Sequence, residues 1–144
     1  MEHQLFTVGV KALIQNESGK YLVLLKDKKE CARDSLKAHW DIPGGRVDKG
    51  ESMDKTLLRE LKEEIGITSS QIGDLIGVTV SKFEKFFADS KLLLIVYLVT
   101  ISEKQEIILN KEHTEYRWVG KKEAMKLLAD KYPKQFLYTI FNTI

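Results

Sequence analysis

Cysteine and proline are nearly missing from this chain: Cys31 is the single cysteine among 144 residues, and Pro43 and Pro133 are the two prolines. One cysteine cannot close an intramolecular disulfide, so a small fold stapled by such bridges is excluded. Its charged surroundings, KKECARD, hold no adjacent histidine and argue against a catalytic thiol. Long hydrophobic runs are also absent, since the longest, Leu92 to Val99, is far too short to span a bilayer. The opening MEHQLFTVGVKALI places Glu2 and Lys11 where a secretory leader needs an unbroken apolar stretch, so a cytoplasmic location is expected. Neither sign of charge dominates: 23 Lys and Arg against 21 Asp and Glu leave a formal net charge of +2, too little to argue for a nucleic-acid or membrane partner.

What is present is the material of one soluble domain, with 43% hydrophobic and 31% charged residues and a length that suffices for a sizeable core. Phe6 to Ile14 and Tyr21 to Leu25 read as strands joined by the turn cluster NESGK, hence as a hairpin. Lys26 to Ala38 is polar and without periodicity, a long loop ending just before a glycine turn. Ile72 to Val80 is β-branched, and Leu92 to Ile101 is the near-continuous apolar run of a strand covered on both faces. Tyr116 to Val119 reads as a last short strand. Glu123 to Leu128 is amphipathic, and Pro133 opens a helix whose Phe136, Leu137, Ile140 and Phe141 form an apolar stripe. Strands on both sides of a central helix, with two helices at the end, imply an α/β fold in which a mixed sheet is covered on both faces. All of residues 1–144 read as one domain.

The segment with the most chemical content is GRVDKGESMDKTLLRELKEEIGI, Gly45 to Ile67. Gly44 and Gly45 follow Pro43, where the backbone can turn sharply and approach a ligand without Cβ interference. A helix is expected to start at Ser52, whose hydroxyl can cap the first-turn amides, and to stop at Gly66. Leu57, Leu58, Leu61 and Ile65 form its expected buried stripe. Glu60, Glu63 and Glu64 stand at i, i+3 and i+4, so three carboxylates share a neighbouring stripe. Such like charges repel, and a divalent cation removes the conflict. Hard cations such as Mg²⁺ take oxygen ligands and link carboxylates to substrate phosphates. Arg59 can pair with Glu63 one turn on or reach back to Glu51. An arbitrary acidic helix face is ordinarily just a solvated surface, but here the order of its surroundings is specific.

That order resembles the Nudix box: Gly, five residues, Glu, seven residues, Arg-Glu, a bulky aliphatic, one residue, Glu-Glu, one residue, Gly and a bulky aliphatic. Gly45, Glu51, Arg59, Glu60, Leu61, Glu63, Glu64, Gly66 and Ile67 fill it without departure. The flanks HWDIPGG and EHTEYRWV are similar to the family as well. The resemblance implies an α/β/α sandwich and Mg²⁺- or Mn²⁺-dependent hydrolysis of a nucleoside diphosphate linked to a moiety X, by water attack on phosphorus.

Residue by residue, the resemblance gives Glu60, Glu63 and Glu64 the metal positions, with the Gly44 carbonyl as a further ligand. Arg59 and Glu51 become the pair that, with Gly45, orders the loop against the helix. The general base is left between a box glutamate and a residue on a distant loop, for which Glu112 is the candidate; His113 and Glu115 beside it read as a surface turn. Arg46, Phe86 and Phe87 are the candidate substrate-binding residues. A phenylalanine stacked on a nucleobase contributes about 1–3 kcal/mol, although Phe83, Phe86 and Phe87 equally suit a core.

The expected partner is a small nucleotide or nucleotide derivative, with a homodimer left open. PGG before the box and the short chain resemble the MutT-type nucleoside triphosphate pyrophosphohydrolases. Dinucleoside polyphosphates and nucleotide sugars are the alternative substrates. A nucleotide-sensing module is the alternative of another class, but such modules commonly lose box carboxylates, and here all are present.

Overall fold

The computed structural model describes residues 1–27, 37–83, 89–102 and 104–144. Among the described residues, seven strands form one mixed sheet: β1 (Phe6–Gln15), β2 (Tyr21–Lys26), β3 (His39–Asp41), β4 (Gly44–Arg46), β5 (Gln71–Val80), β6 (Lys91–Thr100) and β7 (His113–Val119). The helices of the described residues are α1 (Met53–Ile65), α2 (Lys121–Leu127), which passes into a 3-10 turn over Leu128–Asp130, and α3 (Lys134–Asn142). No helix among the described residues is long and apolar enough to cross a membrane.

β1 and β6 run parallel in register from Phe6 opposite Lys91 to Gln15 opposite Thr100, and β5 closes antiparallel on the far side of β6. The apolar run of β6 is therefore a strand paired on both edges. Leu92, Leu94 and Val96 point into one core and Ile95 and Tyr97 pack against the other, which explains a sequence without polar alternation.

The two cores lie on opposite faces. On one, Leu57, Leu61 and Ile65 of α1 meet Val10, Ala12, Ile14, Leu22 and Leu24. On the other, Leu137, Ile140 and Phe141 of α3 with Leu128 and Tyr132 meet Leu13, Tyr21 and Val23. Each fully buried aliphatic side chain contributes about 1.5–3 kcal/mol, so both helix layers are held chiefly by these stripes. The expected α/β/α layering is present.

The β1–β2 hairpin differs from its expectation. Asn16 organises the turn, its Oδ1 accepting from Ser18 N at 3.1 Å and Lys20 N at 2.9 Å. Yet Gln15 and Tyr21 are the one pair in register between the two strands. Beyond it, the facing edge of β1 takes β4 and the facing edge of β2 takes β3. The wedge between the diverging strands is thus filled by His39–Arg46, the stretch containing the glycine turn. β3 and β4 were not expected, because three-residue strands carry no period.

Leu58 corrects the expected buried stripe: it is 46% exposed. It lies one 100° step round the helix from Leu57, off the face that meets the sheet. Thr56 and Glu64 take interior places instead. β7 begins at His113, three residues earlier than expected from sequence.

Candidate active site

The glycine turn and α1 are built by local chemistry. Ser52 Oγ accepts from Lys55 N at 3.2 Å, capping the helix start. At the other end Gly66 adopts φ +70°, its N–H donating to Lys62 O at 3.1 Å while Ile67 N donates to Leu61 O at 3.3 Å. Between these caps the box carboxylates occupy fixed rotational positions, and the tertiary structure gives each a different environment.

Arg59 is the hub of the exposed side. Its Nε donates to Glu51 Oε2 and one terminal nitrogen to Glu51 Oε1, both at 3.0 Å, a two-pronged clasp. The other terminal nitrogen donates to Glu60 Oε1 at 2.9 Å and to Glu63 Oε2 at 3.3 Å. Thr56 Oγ1 donates to Glu51 at 2.6 Å and Arg59 reaches the Arg46 carbonyl at 3.4 Å, so loop, strand and helix are tied together. Both pairings expected for Arg59 occur at once. The Arg59 guanidinium, then Thr56, draw the Glu51 carboxyl down to about 2.

A depressed carboxyl stabilises the fold above its unfolded value near 4.5 and ceases to do so as the pH falls through about 2. Glu51→Gln is therefore expected to lower the unfolding midpoint at neutral pH, with the difference from wild type closing between about pH 4.5 and pH 2. Thermal unfolding across that range measures it, and a pH-independent gap would contradict the clasp.

Gly45 sits where β4 meets α1. A Cβ there would overlap the Glu60 carboxylate, so the strand approaches the helix as closely as glycine permits. Gly44 has φ +147°, and a Cβ on it would run into the Val10 carbonyl and the Lys11 Cα. The bare turn lets Gly45 lie against the Glu60 carboxylate and Gly44 against the β1 backbone.

Glu64 is 5% exposed. Burial pushes its carboxyl well above the ordinary range; the Lys11 ammonium pulls the other way, and the adjoining Glu60 carboxyl adds to the rise. Behind the turn lies a buried ionic cluster that sequence reading did not find. Asp41 Oδ2 accepts from Lys11 Nζ at 3.1 Å and Lys131 Nζ at 2.7 Å, while Oδ1 accepts from Tyr132 Oη at 2.7 Å and Ile42 N at 2.8 Å. Burial alone would raise the Asp41 carboxyl, but the two ammonium groups carry it well below the usual range. Lys11 interrupting an apolar strand was the one signal in the sequence for this cluster.

Glu112 precedes β7. Asn110 links its backbone to the box helix: Asn110 N donates to Glu64 O at 3.1 Å, and Asn110 Oδ1 accepts from Glu112 N at 3.2 Å. No hydrogen bond among the described residues joins the Glu112 carboxylate to the box carboxylates. His113 corrects the expected surface turn: it is 8% exposed, bonded through Nδ1 to Asn110 Oδ1 at 3.2 Å, and burial lowers it to about 4. Glu115 lies within β7 and pairs with Arg117 at 2.7 Å. Arg46 is exposed at the end of β4. Phe86, Phe87 and most of the 26–38 loop lie outside the described residues. Phe83 is described and packs edge-on against His39 at 4.9 Å between ring centroids.

Among the described residues, no three His, Cys, Asp or Glu side chains already surround one point as a closed metal site. The donors nevertheless fit a hard cation. Glu64 is buried with the Glu60 carboxylate adjoining it, and Glu63 is 55% exposed with a 3.3 Å contact to Arg59 to release. An all-oxygen set of this kind suits Mg²⁺ or Mn²⁺ and not a thiophilic metal.

The profile of the NUDIX domain family matches residues 5–139. The chain is 38% identical over 101 residues to the asymmetrical bis(5'-nucleosyl)-tetraphosphatase of Mus musculus, covering 69% of this chain and 67% of that enzyme. It is 30% identical over 118 residues to the nucleoside triphosphatase NudI of Escherichia coli K12, covering 74% and 77%. Its fold superposes on the crystal structure of a MutT protein from Methanosarcina mazei with a TM-score of 0.78 and 29% identity, covering 99% and 98% of the two chains.

Proposed function

Because the chain belongs to the NUDIX family and is a Nudix hydrolase, we propose that it cleaves the phosphoanhydride chain of a nucleoside triphosphate, releasing a nucleoside monophosphate and pyrophosphate. The observation that carries this reading is the carboxylate array on α1, gathered against a side-chain-free turn and clasped by Arg59. Glu60, Glu63 and Glu64 would hold Mg²⁺ or Mn²⁺, with the Gly44 carbonyl beside them. The ion supplies charge neutralisation on the phosphates and a more acidic bound water.

The chain's own groups do the remaining work. Arg59 and Glu51 fix the entry of α1 so that the carboxylates keep their spacing, which lowers the reorganisation needed at the reacting phosphate. Buried Glu64 sits in an interior that disfavours its charge, suiting it to receive either a cation or a proton. Glu112, tethered through Asn110 to the Glu64 backbone, completes the site as the proposed general base. Arg46 at the rim offers a cation to the phosphate chain. Phe86 and Phe87 remain the proposed base-stacking residues. A soluble enzyme with no nucleic-acid partner fits the small net charge.

NudI, a nucleoside triphosphatase matched over 77% of its length, supports the triphosphate reading. The higher identity to the mouse tetraphosphatase favours a second reading, asymmetric cleavage of a dinucleoside tetraphosphate, though the match spans 60% to 67% of the rat and mouse enzymes. A panel of nucleoside triphosphates, diadenosine tetraphosphate and nucleotide sugars, assayed with Mg²⁺ and with product analysis, decides between them. Monophosphate plus pyrophosphate is expected, and exclusive release of ATP plus AMP from the dinucleotide would transfer the assignment. Turnover should vanish in excess EDTA and be poorly supported by Ca²⁺, whose longer bonds suit octahedral phosphate chemistry badly. In ¹⁸O-water the label should appear on a phosphate product; label on a sugar carbon alone would mean glycosidic chemistry.

A further inference from the structure

We propose that Lys11 is a positioning residue for this reaction, seating the glycine turn against the box carboxylates through its contacts with Asp41 and the Ile42 carbonyl. The inference rests on the hydrolase reading of the α1 site. Lys11 lies in β1 opposite Gly44 of β4 and is 7% exposed. Its aliphatic stem occupies the space beside Gly44, where a Cβ would meet Lys11 Cα and Cδ at 2.8 Å. Its Nζ donates to Asp41 Oδ2 at 3.1 Å and to Ile42 O at 3.2 Å, on the two residues before Pro43. One side chain therefore grips the turn from below on both sides of its bend. The strand leaving that turn places Gly45 directly on the Glu60 carboxylate.

Charge supports the geometry. Burial pulls the Lys11 ammonium down, yet Asp41, and after it Glu64 and Glu60, outweigh burial and leave it raised. Lys131 offers the internal comparison. It meets the same Asp41 oxygen at 2.7 Å, but after burial and Asp41 the groups that weigh most on it are the cations Lys11 and Lys26. Two buried cations thus share one carboxylate, and one of them also faces the box. If both served the fold alone, they would be equivalent to the reaction.

The experiment compares Lys11→Met and Lys131→Met in the full chain, with Glu64→Gln as reference. Unfolding midpoint, kcat and KM with Mg²⁺ and a nucleoside triphosphate, and Mn²⁺ affinity by electron paramagnetic resonance are measured for each. Both methionine variants should lose stability, since each removes a partner from buried Asp41. Lys11→Met alone should lose about tenfold or more in kcat with KM within about threefold, the scale of effect that a small misplacement near reacting groups produces. Its Mn²⁺ affinity should stay within about threefold, because the three carboxylates are untouched and removing a nearby positive charge favours a cation electrostatically, which offsets a displaced turn. Lys11→Arg, which keeps the charge with a different head group, should recover part of the lost kcat.

The proposal is overturned if folded Lys11→Met keeps kcat within about threefold of wild type, or if Lys131→Met falls equally far. Mn²⁺ binding weakened by about tenfold or more in step with lost stability would also overturn it, as would failure of both Lys11 variants to fold, since Lys11 would then be required by the fold alone. Absent wild-type turnover, or a normal kcat in Glu64→Gln, would instead refute the hydrolase reading beneath it.

Discussion

Glu64→Gln should lower kcat by about a hundredfold or more, some 2.7 kcal/mol of transition-state stabilisation, while leaving the metal-free protein as stable as wild type or more so. The two halves come from one observation. Glu64 is a buried carboxyl beside Glu60, and its pKa is raised in the folded state. A raised carboxyl contributes most to stability below its unfolded value near 4.5, and that contribution is lost as the pH rises through the folded value. Glutamine is neutral at every pH and escapes the loss. Thermal unfolding in EDTA should therefore place the variant at or above wild type at pH 8, the two converging below about pH 4.5. Lost activity with unchanged or improved stability separates a residue placed for chemistry from one placed for packing. A variant that is both inactive and clearly less stable would reassign Glu64 to the fold, and near-wild-type turnover would remove it from the metal set.

Alanine at the two turn glycines should divide the same way. At Gly44 the added Cβ would meet backbone, the Val10 carbonyl and Lys11 Cα, at φ +147°. Neither obstruction can swing aside, so Gly44→Ala should lose on the order of 1–3 kcal/mol and lower the unfolding midpoint by several degrees. At Gly45 the obstruction is the end of the Glu60 side chain, which can move. Gly45→Ala should cost less stability but push Glu60 out of its 2.9 Å contact with Arg59, reducing kcat by about tenfold or more. Midpoint and kcat measured on both variants test the contrast. Equal losses of kcat at equal stability would mean that the turn's closeness to Glu60 has no part in the reaction.

Much of the site was legible in the sequence because it is local. A cap at Ser52, a stop at Gly66 and carboxylates at Glu60, Glu63 and Glu64 follow from helical period and end chemistry within one segment. The clasp of Arg59 on Glu51 spans eight residues across a helix start, and both candidate partners of Arg59 were readable from spacing. The helix layers and the doubly paired β6 were legible from hydrophobic pattern.

What failed was also physical in origin. Leu58 looked buried because leucine types and spacings cannot show where a stripe ends. β3 and β4 are too short for a period, and His113 looked like part of a polar turn until β7 proved to begin there.

The sequence by itself determined the chemistry of the box and the order of its groups, since these depend on neighbours within a few helical turns. Only the tertiary structure decided that Glu64 is buried while Glu63 is exposed, because that depends on which side of α1 meets the sheet. It alone revealed the buried ions, for Lys11 lies 30 residues and Lys131 90 residues from Asp41 in sequence. Lys11 meets Asp41 because β1 and β2 diverge and His39–Arg46 fills the wedge between them, and Lys131 meets it because the chain after α2 packs against β3. Local periodicity carries no record of such a closure; strand pairing over long separations creates it.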